Sequence, residues 1–134
     1  MATFNKFYSF VEALSEKVHN LGSDTLTVAL TNTVPVNTNT VLANITQIAY
    51  TNLSTRVLAG VTSAQTTGTY KLDANDLVLT ASGAVAQFRY VVLYNDTATN
   101  DELIGWYDYG ATVDLLNGET FTITWDAAGI LTLA

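Results

Sequence analysis

The stretch FRYVVLY, residues 88–94, decides the fold that this sequence predicts. Every residue in it except Arg89 is aromatic, β-branched or leucine, and such residues are enriched in strands. Successive side chains of a strand point to opposite faces of the sheet, and here both sets are apolar. Both faces of the strand are therefore expected to be buried. The pattern therefore predicts a strand at the centre of its sheet.

Strand signals continue toward the C-terminus. A polar loop at 95–101 leads into a second aromatic-rich strand at 103–109. Asn117-Gly118 is typical of a two-residue type I′ turn, which predicts a hairpin between strands at 113–115 and 121–125. A last short strand is predicted at 130–133.

Toward the N-terminus, residues 26–30 (LTVAL) alternate between apolar and smaller or polar side chains, which predicts a strand with one buried face. Residues 41–50 fit a short helix as well as an irregular strand, and both alternatives stay open. Further strands are predicted at 56–64, 69–72 and 77–80. About eight short strands indicate a mainly β fold, an antiparallel β-sandwich or a jelly-roll-like barrel.

One helix is predicted, at residues 1–21, ahead of a β-sandwich at 22–134. Its apolar positions recur at spacings of three and four, typical of one buried helical face: Phe4, Phe7, Tyr8, Val11, Leu14 and Val18. Asn20 and Gly22 are suitable stop residues because both tolerate positive φ. The segment lacks the apolar run of a signal peptide, so we expect it in the mature protein. The length of 134 residues predicts a single domain at 1–134.

Phe4, Phe7 and Phe10 are the candidate interface residues. Phe10 lies off the predicted stripe, so an isolated helix would leave it exposed. A helix that is apolar on more than one face is usually enclosed by partners. The partner is either the chain's own sheet or another protein subunit, and the sequence favours neither.

Composition excludes several classes of partner. Five basic and twelve acidic residues give a net charge of −7, and the isoelectric point is about 4.2. Without a basic stripe to neutralise phosphates, we expect no nucleic-acid partner and no anionic membrane surface. The chain has no cysteine, which excludes disulfides and thiolate metal sites. With 22 threonines and 11 asparagines, the exposed surface is predicted to be largely neutral and polar.

No constellation of residues predicts an enzyme, a cofactor or a metal site. The sole histidine, His19, is expected to play a structural role at the end of the predicted helix. Acidic residues gather in two places, Asp73 with Asp76 and Asp96 with Asp101 and Glu102, but neither has calcium-loop spacing, and turn formation explains both. Aromatic residues gather between positions 90 and 109, where core packing is favoured over a sugar-binding platform.

Three strings resemble a family of small structural proteins of tailed bacteriophages. The run FNKFYSFVEALSEKVHNLGSDTLTVALTN, residues 4–32, is similar to the family pattern of an F-N-K-F-x-x-F start, an H-N segment and then S-D-T-L-x-V-A-L-T-N. Further matches are FRYVVLYNDTATNDELIGWYDYG at 88–110 and NGETFTITWDAAGILTLA at 117–134. Residues 33–86 carry no comparable pattern.

The resemblance implies a virion protein, and first of all a capsid decoration (cement) protein on the outer capsid surface. Such a protein would bind the major capsid protein and brace neighbouring subunits, as a homo-oligomer for which a trimer is favoured. Decoration proteins of the lambda type attach partly through an extended N-terminal arm, whereas a helix is predicted here, so no contact residues carry over. The alternatives are a tail or baseplate component and a carbohydrate-binding module that uses Trp106 and nearby tyrosines.

Overall fold

The structure is a computed structural model that describes residues 2–134. Within these residues the chain is mainly β, with antiparallel strands and one α-helix, which confirms the predicted fold class. The elements in chain order are β1 (Asn5–Lys6), α1 (Ser9–Ser15), β2 (Leu26–Thr31), a 3-10 turn (Leu42–Asn44), β3 (Thr62–Thr66), β4 (Thr69–Asp73), β5 (Leu77–Thr80), β6 (Phe88–Asn95), β7 (Leu103–Val113), β8 (Thr120–Ile123) and β9 (Leu131–Leu133).

A four-stranded antiparallel sheet in the order β1-β7-β6-β2 forms the centre of the molecule. The predicted central strand is β6, which pairs with β7 on one side and with β2 on the other. Its central position is therefore confirmed.

Both faces of this sheet are covered. Leu26, Val28 and Leu30 of β2 join the larger apolar cluster on one face, whereas Ala29 joins a smaller cluster on the other. All six residues of β2 are buried, so the prediction of a single buried face was wrong. The physical reason is that Phe7 and Ile45 pack over the second face, which alternation within β2 alone does not reveal.

Two smaller sheets complete a sandwich-like arrangement. One has the order β3-β4-β9 and the other pairs β5 with β8. Leu72, Leu79 and Ile123 from these sheets belong to the same larger cluster as the inward side chains of β2 and β6. The core therefore lies between the four-stranded sheet and the two smaller ones.

The hairpin predicted around Asn117-Gly118 does not form. Strand β8 pairs with β5, where Val78 lies opposite Thr122, and the end of β7 pairs with β6 instead. A type I′ turn requires positive φ at both central residues, but here only Gly118 has it, at +83°. The Gly118 amide donates to the carbonyl of Ala81, so this turn is bonded to the residue that directly follows β5.

The helix predicted for 1–21 is much shorter. Helix α1 begins at Ser9, after the extended strand β1, and Met1 lies outside the described residues. It ends at a Schellman turn, in which the Val18 amide donates to the Ala13 carbonyl and Lys17 takes a φ of +69°. Asn20 and Gly22 therefore do not stop the helix as predicted.

The predicted apolar stripe also fails, since Tyr8 is 62% exposed and Val11 is 46% exposed. Phe7, which lies on the predicted stripe, and Phe10, which lies off it, enter clusters on opposite faces of the central sheet. The chain therefore crosses the edge of the sheet between them.

The remaining strands agree with prediction to within a few residues, except near 56–64 and at 113–115, where only Val113 lies in a strand, as the last residue of β7. Near 56–64, only Thr62–Thr66 forms a strand, β3. Arg56 and Leu58 instead bond to the outer edge of β2 through their backbone. The Val28 amide donates to the Arg56 carbonyl, and the Leu58 amide donates to the Leu26 carbonyl. Residues 41–50 contain the 3-10 turn and two isolated bridges, from Val41 to Glu102 and from Gln47 to Thr31, so neither alternative describes them fully. Among residues 2–134, no helix has the length and apolar character needed to cross a membrane.

Candidate interaction surface

The three candidate phenylalanines occupy different environments. Phe7 and Phe10 are 0% and 2% exposed, so their rings belong to the chain's own core. Of the two arrangements that the sequence left open, packing against the chain's own sheet is the one seen for these rings. Phe4 is half-buried and packs against the larger cluster from its edge.

Phe4 lies directly over Gly105 on the neighbouring strand β7. A Cβ atom at position 105 would overlap the Phe4 ring, so the close approach requires glycine. The ring also meets Tyr107 edge-to-face at 5.7 Å between centroids. The pair Asn5–Trp106 of the β1–β7 ladder continues this contact and sets the course of the N-terminal segment.

A groove of about 910 Å³ runs between the N-terminal segment with α1 and strand β9. We call it the lateral groove and define it by its apolar lining: Phe4, Phe10, Val11, Leu14, Tyr107, Ile130, Leu131 and Leu133. Val11 and Leu133 are 46% and 43% exposed, so apolar surface on both walls reaches solvent. Lys6 and Asp126 add one charge of each sign. Sequence reasoning missed this groove because its walls come from opposite ends of the chain.

A smaller aromatic crevice of about 210 Å³ adjoins the lateral groove at Ala2 and Tyr107. Its rings pack on one another, with Tyr109 and Phe121 at 5.0 Å and 76° and Tyr107 and Trp125 at 5.9 Å. Burial, together with the charge of Asp126, raises the pKa of the Tyr107 phenol far above its usual value. That phenol therefore stays neutral at physiological pH.

The aromatic residues do not form a single flat platform. Trp106 lies on the other face of the central sheet from Tyr107, where its indole N–H donates to the Asn37 side-chain oxygen at 3.1 Å. The sheet therefore separates Trp106 from Tyr107, whereas the Tyr90 ring lies beside Trp106 at 6.1 Å between centroids.

Strand edges without a partner in residues 2–134 border these depressions. Strand β9 pairs only with β4, and β8 pairs only with β5. Strand β1 covers β7 only at Gly105 and Trp106, which leaves the later part of that edge uncovered. Uncovered strand edges present backbone donors and acceptors that another chain can use.

A buried polar cluster lies behind α1, near the lateral groove. Asn95 is 0% exposed, and its side-chain nitrogen donates to His19 Nδ1 at 3.0 Å and to the Asp24 carboxylate at 2.7 Å. Its side-chain oxygen accepts from the amides of Thr97 and Ala98. Because Nδ1 of His19 accepts, the proton of the neutral ring is assigned to Nε2.

His19 itself is 4% exposed, and α1 ends at Ser15, so His19 does not lie at a helix end as predicted. Burial lowers the pKa of its imidazole, although the carboxylates of Glu102 and Asp24 act in the opposite direction. The role of Asn95 could not be found from the sequence, because an asparagine at the end of a strand has the same pattern as an ordinary turn former.

The acidic residues of the 96–102 loop lie near one another. Burial, followed by repulsion from Asp96 and Glu102, raises the pKa of Asp101 above its usual value. Asp73, in the other predicted acidic group, forms an ion pair with Lys71 at 3.3 Å. Within residues 2–134, no group of three or more histidine or acidic side chains could hold a metal ion.

Comparison of the chain with protein-family models, with curated proteins and with solved structures gives no significant match.

Proposed function

We propose that this protein is a structural component of a tailed-bacteriophage virion, a capsid decoration protein. It binds the major capsid protein on the outer surface of the shell and braces neighbouring subunits. It acts as a homo-oligomer, for which a trimer is favoured.

The observation that carries the proposal is where the family-like strings lie in the fold. Residues 4–32 and 88–110 supply β1, β2, β6 and most of β7, the strands of the central sheet, together with α1. Residues 117–134 supply β8 and β9. The resemblance thus covers nearly the whole central sheet, whereas residues 33–86, which lack it, supply loops and strands β3 to β5, including the partners of β8 and β9.

The lateral groove supports a binding role and supplies a candidate contact. It joins exposed apolar side chains to the uncovered edge of β9. Burial of apolar area stabilises an interface, and a strand edge adds directional hydrogen bonds. Repetition of such contacts over a capsid lattice would multiply a modest affinity for each site.

Binding to capsids tests the proposal. Expanded capsids that lack this protein, prepared from the phage that encodes it, would be incubated with the purified labelled chain and sedimented. We expect saturable binding at a fixed number of copies per capsomer. Absence of saturable binding would overturn the proposal, and immunogold label confined to tails would replace it with a tail or baseplate role.

A matched pair of variants tests the groove. Val11→Asp introduces a charge on the groove wall, whereas Val78→Asp makes the same change at a 50% exposed valine on β5 that does not line the groove. We expect Val11→Asp to weaken capsid binding at least about tenfold, or about 1.4 kcal/mol, and Val78→Asp to change it little. Equal effects would place the contact elsewhere on the molecule and leave the decoration role in place.

A further inference from the structure

The segment 9–24 is held to the rest of the protein by very few polar contacts. Among residues 2–134, its hydrogen bonds to residues 25–134 come from a single atom, the side-chain nitrogen of Asn95, which donates to His19 and Asp24. Its other hydrogen bonds are internal or reach only Phe7, as in the bond from the Phe10 amide.

Its apolar attachment is also small. Phe10 and Leu21 are its two buried residues in the larger core cluster, with Leu14 partly buried beside them. The Phe10 ring packs against the imidazole of His19 at 5.4 Å between centroids. Depressions flank α1 on both sides, the lateral groove and an open pocket lined by His19, Asp24 and Tyr70. Segments with few buried contacts open at a small fraction of the global unfolding free energy.

Protonation of His19 conflicts with the bond that holds it. A charged imidazole carries a proton on both nitrogens, so Nδ1 would then present a donor to the donor group of Asn95. The Asn95 amide cannot simply turn over, because its oxygen accepts from Thr97 and Ala98 and its nitrogen also donates to Asp24.

We propose that segment 9–24 is an acid-released flap: protonation of His19 breaks its bond to Asn95 and frees the flap to uncover the core beneath Phe10. The device does not depend on the proposed capsid role.

The charged groups that face His19 influence how readily its imidazole takes up a proton. Asp24, which precedes β2, and Glu102, which precedes β7, are the charged groups that act on its imidazole. Phe10 of α1 and Asn95 of β6 contribute none. Nε2 of His19 and one carboxylate oxygen of Glu102 are buried without a hydrogen-bond partner among residues 2–134. In the closed form burial opposes the imidazolium and the two carboxylates favour it, with burial the larger effect. Only Asp24 belongs to the flap and would move with His19 when the flap opens.

Hydrogen exchange followed by mass spectrometry tests the flap, with rates corrected for the intrinsic effect of pH. Between pH 7.5 and 5.0 we expect protection of residues 9–24 to fall. The limit is about thirtyfold at pH 5 if the freed imidazole has its ordinary pKa of about 6.5. Amides of β2 and β6 should remain far more protected than the flap at every pH, although acid also lowers their protection through the global stability.

His19→Gln is the control variant, because a glutamine oxygen can accept from Asn95 and does not titrate. Its flap should keep its protection across the same range. Wild-type protection that stays constant to pH 5.0, or that falls equally in His19→Gln, would overturn the proposal, as would flap amides that are as well protected as those of β2 and β6.

A measurement on the wild type alone covers the case in which the variant does not fold. His19 is the sole histidine, so its imidazole gives a single titrating signal by NMR. We expect its midpoint to lie below 6.5, with flap protection falling as the pH drops from 6.5 toward that midpoint. A midpoint at or above 6.5, or flap protection that does not fall over that range, would contradict the mechanism.

Discussion

At the scale of single residues, Gly105 sets the position of the N-terminal segment. The Phe4 ring occupies the space that a side chain at 105 would need. We therefore expect Gly105→Ala to displace Phe4 and to lower the free energy of unfolding by about 1–3 kcal/mol, the usual cost of overpacking. Urea unfolding measures the change.

A double-mutant cycle identifies the cause. In a Phe4→Ala background the ring is absent, so the added methyl of Gly105→Ala should cost much less than in the wild type. If the two changes were simply additive, backbone conformation at 105 rather than the ring would be responsible.

His19 is expected to make global stability depend on pH. Above pH 6.5 the imidazole is neutral in both the folded and the unfolded chain, so it has no effect. Below 6.5 the unfolded chain binds a proton that the folded chain excludes, since the folded pKa is lowered by burial. The free energy of unfolding therefore falls with pH, by at most about 1.4 kcal/mol per unit.

Thermal or urea unfolding from pH 7.5 to 5.0 checks this slope. At each pH the free energy of unfolding of His19→Gln is subtracted from that of the wild type. This subtraction removes the contribution of the carboxylates, which both proteins share. A wild-type protein that gained stability relative to the variant on acidification would show that the folded pKa is raised, contrary to expectation.

At the scale of elements, the pairing of β5 with β8 distinguishes the observed topology from the predicted hairpin. Val78 and Thr122 lie opposite each other and are both exposed, and the chain has no native cysteine. We expect Val78→Cys with Thr122→Cys to form a disulfide and to stabilise the protein by up to about 4 kcal/mol, as estimated from loop closure.

The control pair is Val113→Cys with Thr122→Cys, which a two-residue hairpin at Asn117-Gly118 would bring together. Mass spectrometry after mild oxidation reads out both variants. Cross-linking of the control pair in place of the first would support the hairpin and contradict the β5–β8 ladder.

The predicted and observed elements differ where contacts are distant in sequence. Strands β5 and β6 were predicted closely, because local side-chain patterns describe a strand and its burial. The pairing partner of β8 was not predicted. Asn117-Gly118 favours a local hairpin, whereas the observed partner, β5, is distant in the sequence. In the candidate site, the sequence showed that Phe10 lies off the stripe of Phe7 but did not show that the chain crosses a sheet edge between them.

At the scale of the whole molecule, the proposed oligomer has a defined mass. Each chain is 14.4 kDa, so a trimer is expected at about 43 kDa by native mass spectrometry, and cross-linking on decorated capsids should give the same species. A single-chain mass in solution together with the absence of trimers on capsids would contradict the trimer. A single-chain mass in solution alone would mean that trimers assemble on the shell.

The order of strand pairing also affects how the chain folds as it leaves the ribosome. Strand β2 ends at Thr31, but its partner β6 ends at Asn95, and β1, β4 and β5 likewise pair with strands that emerge later. Among residues 2–134, the β3–β4 ladder alone can close before β6 is made. At a typical 5–20 residues per second, β2 waits roughly 3–13 s for its partner. The nascent N-terminal half must therefore stay soluble without its sheet, and its many threonines and asparagines suit that interval.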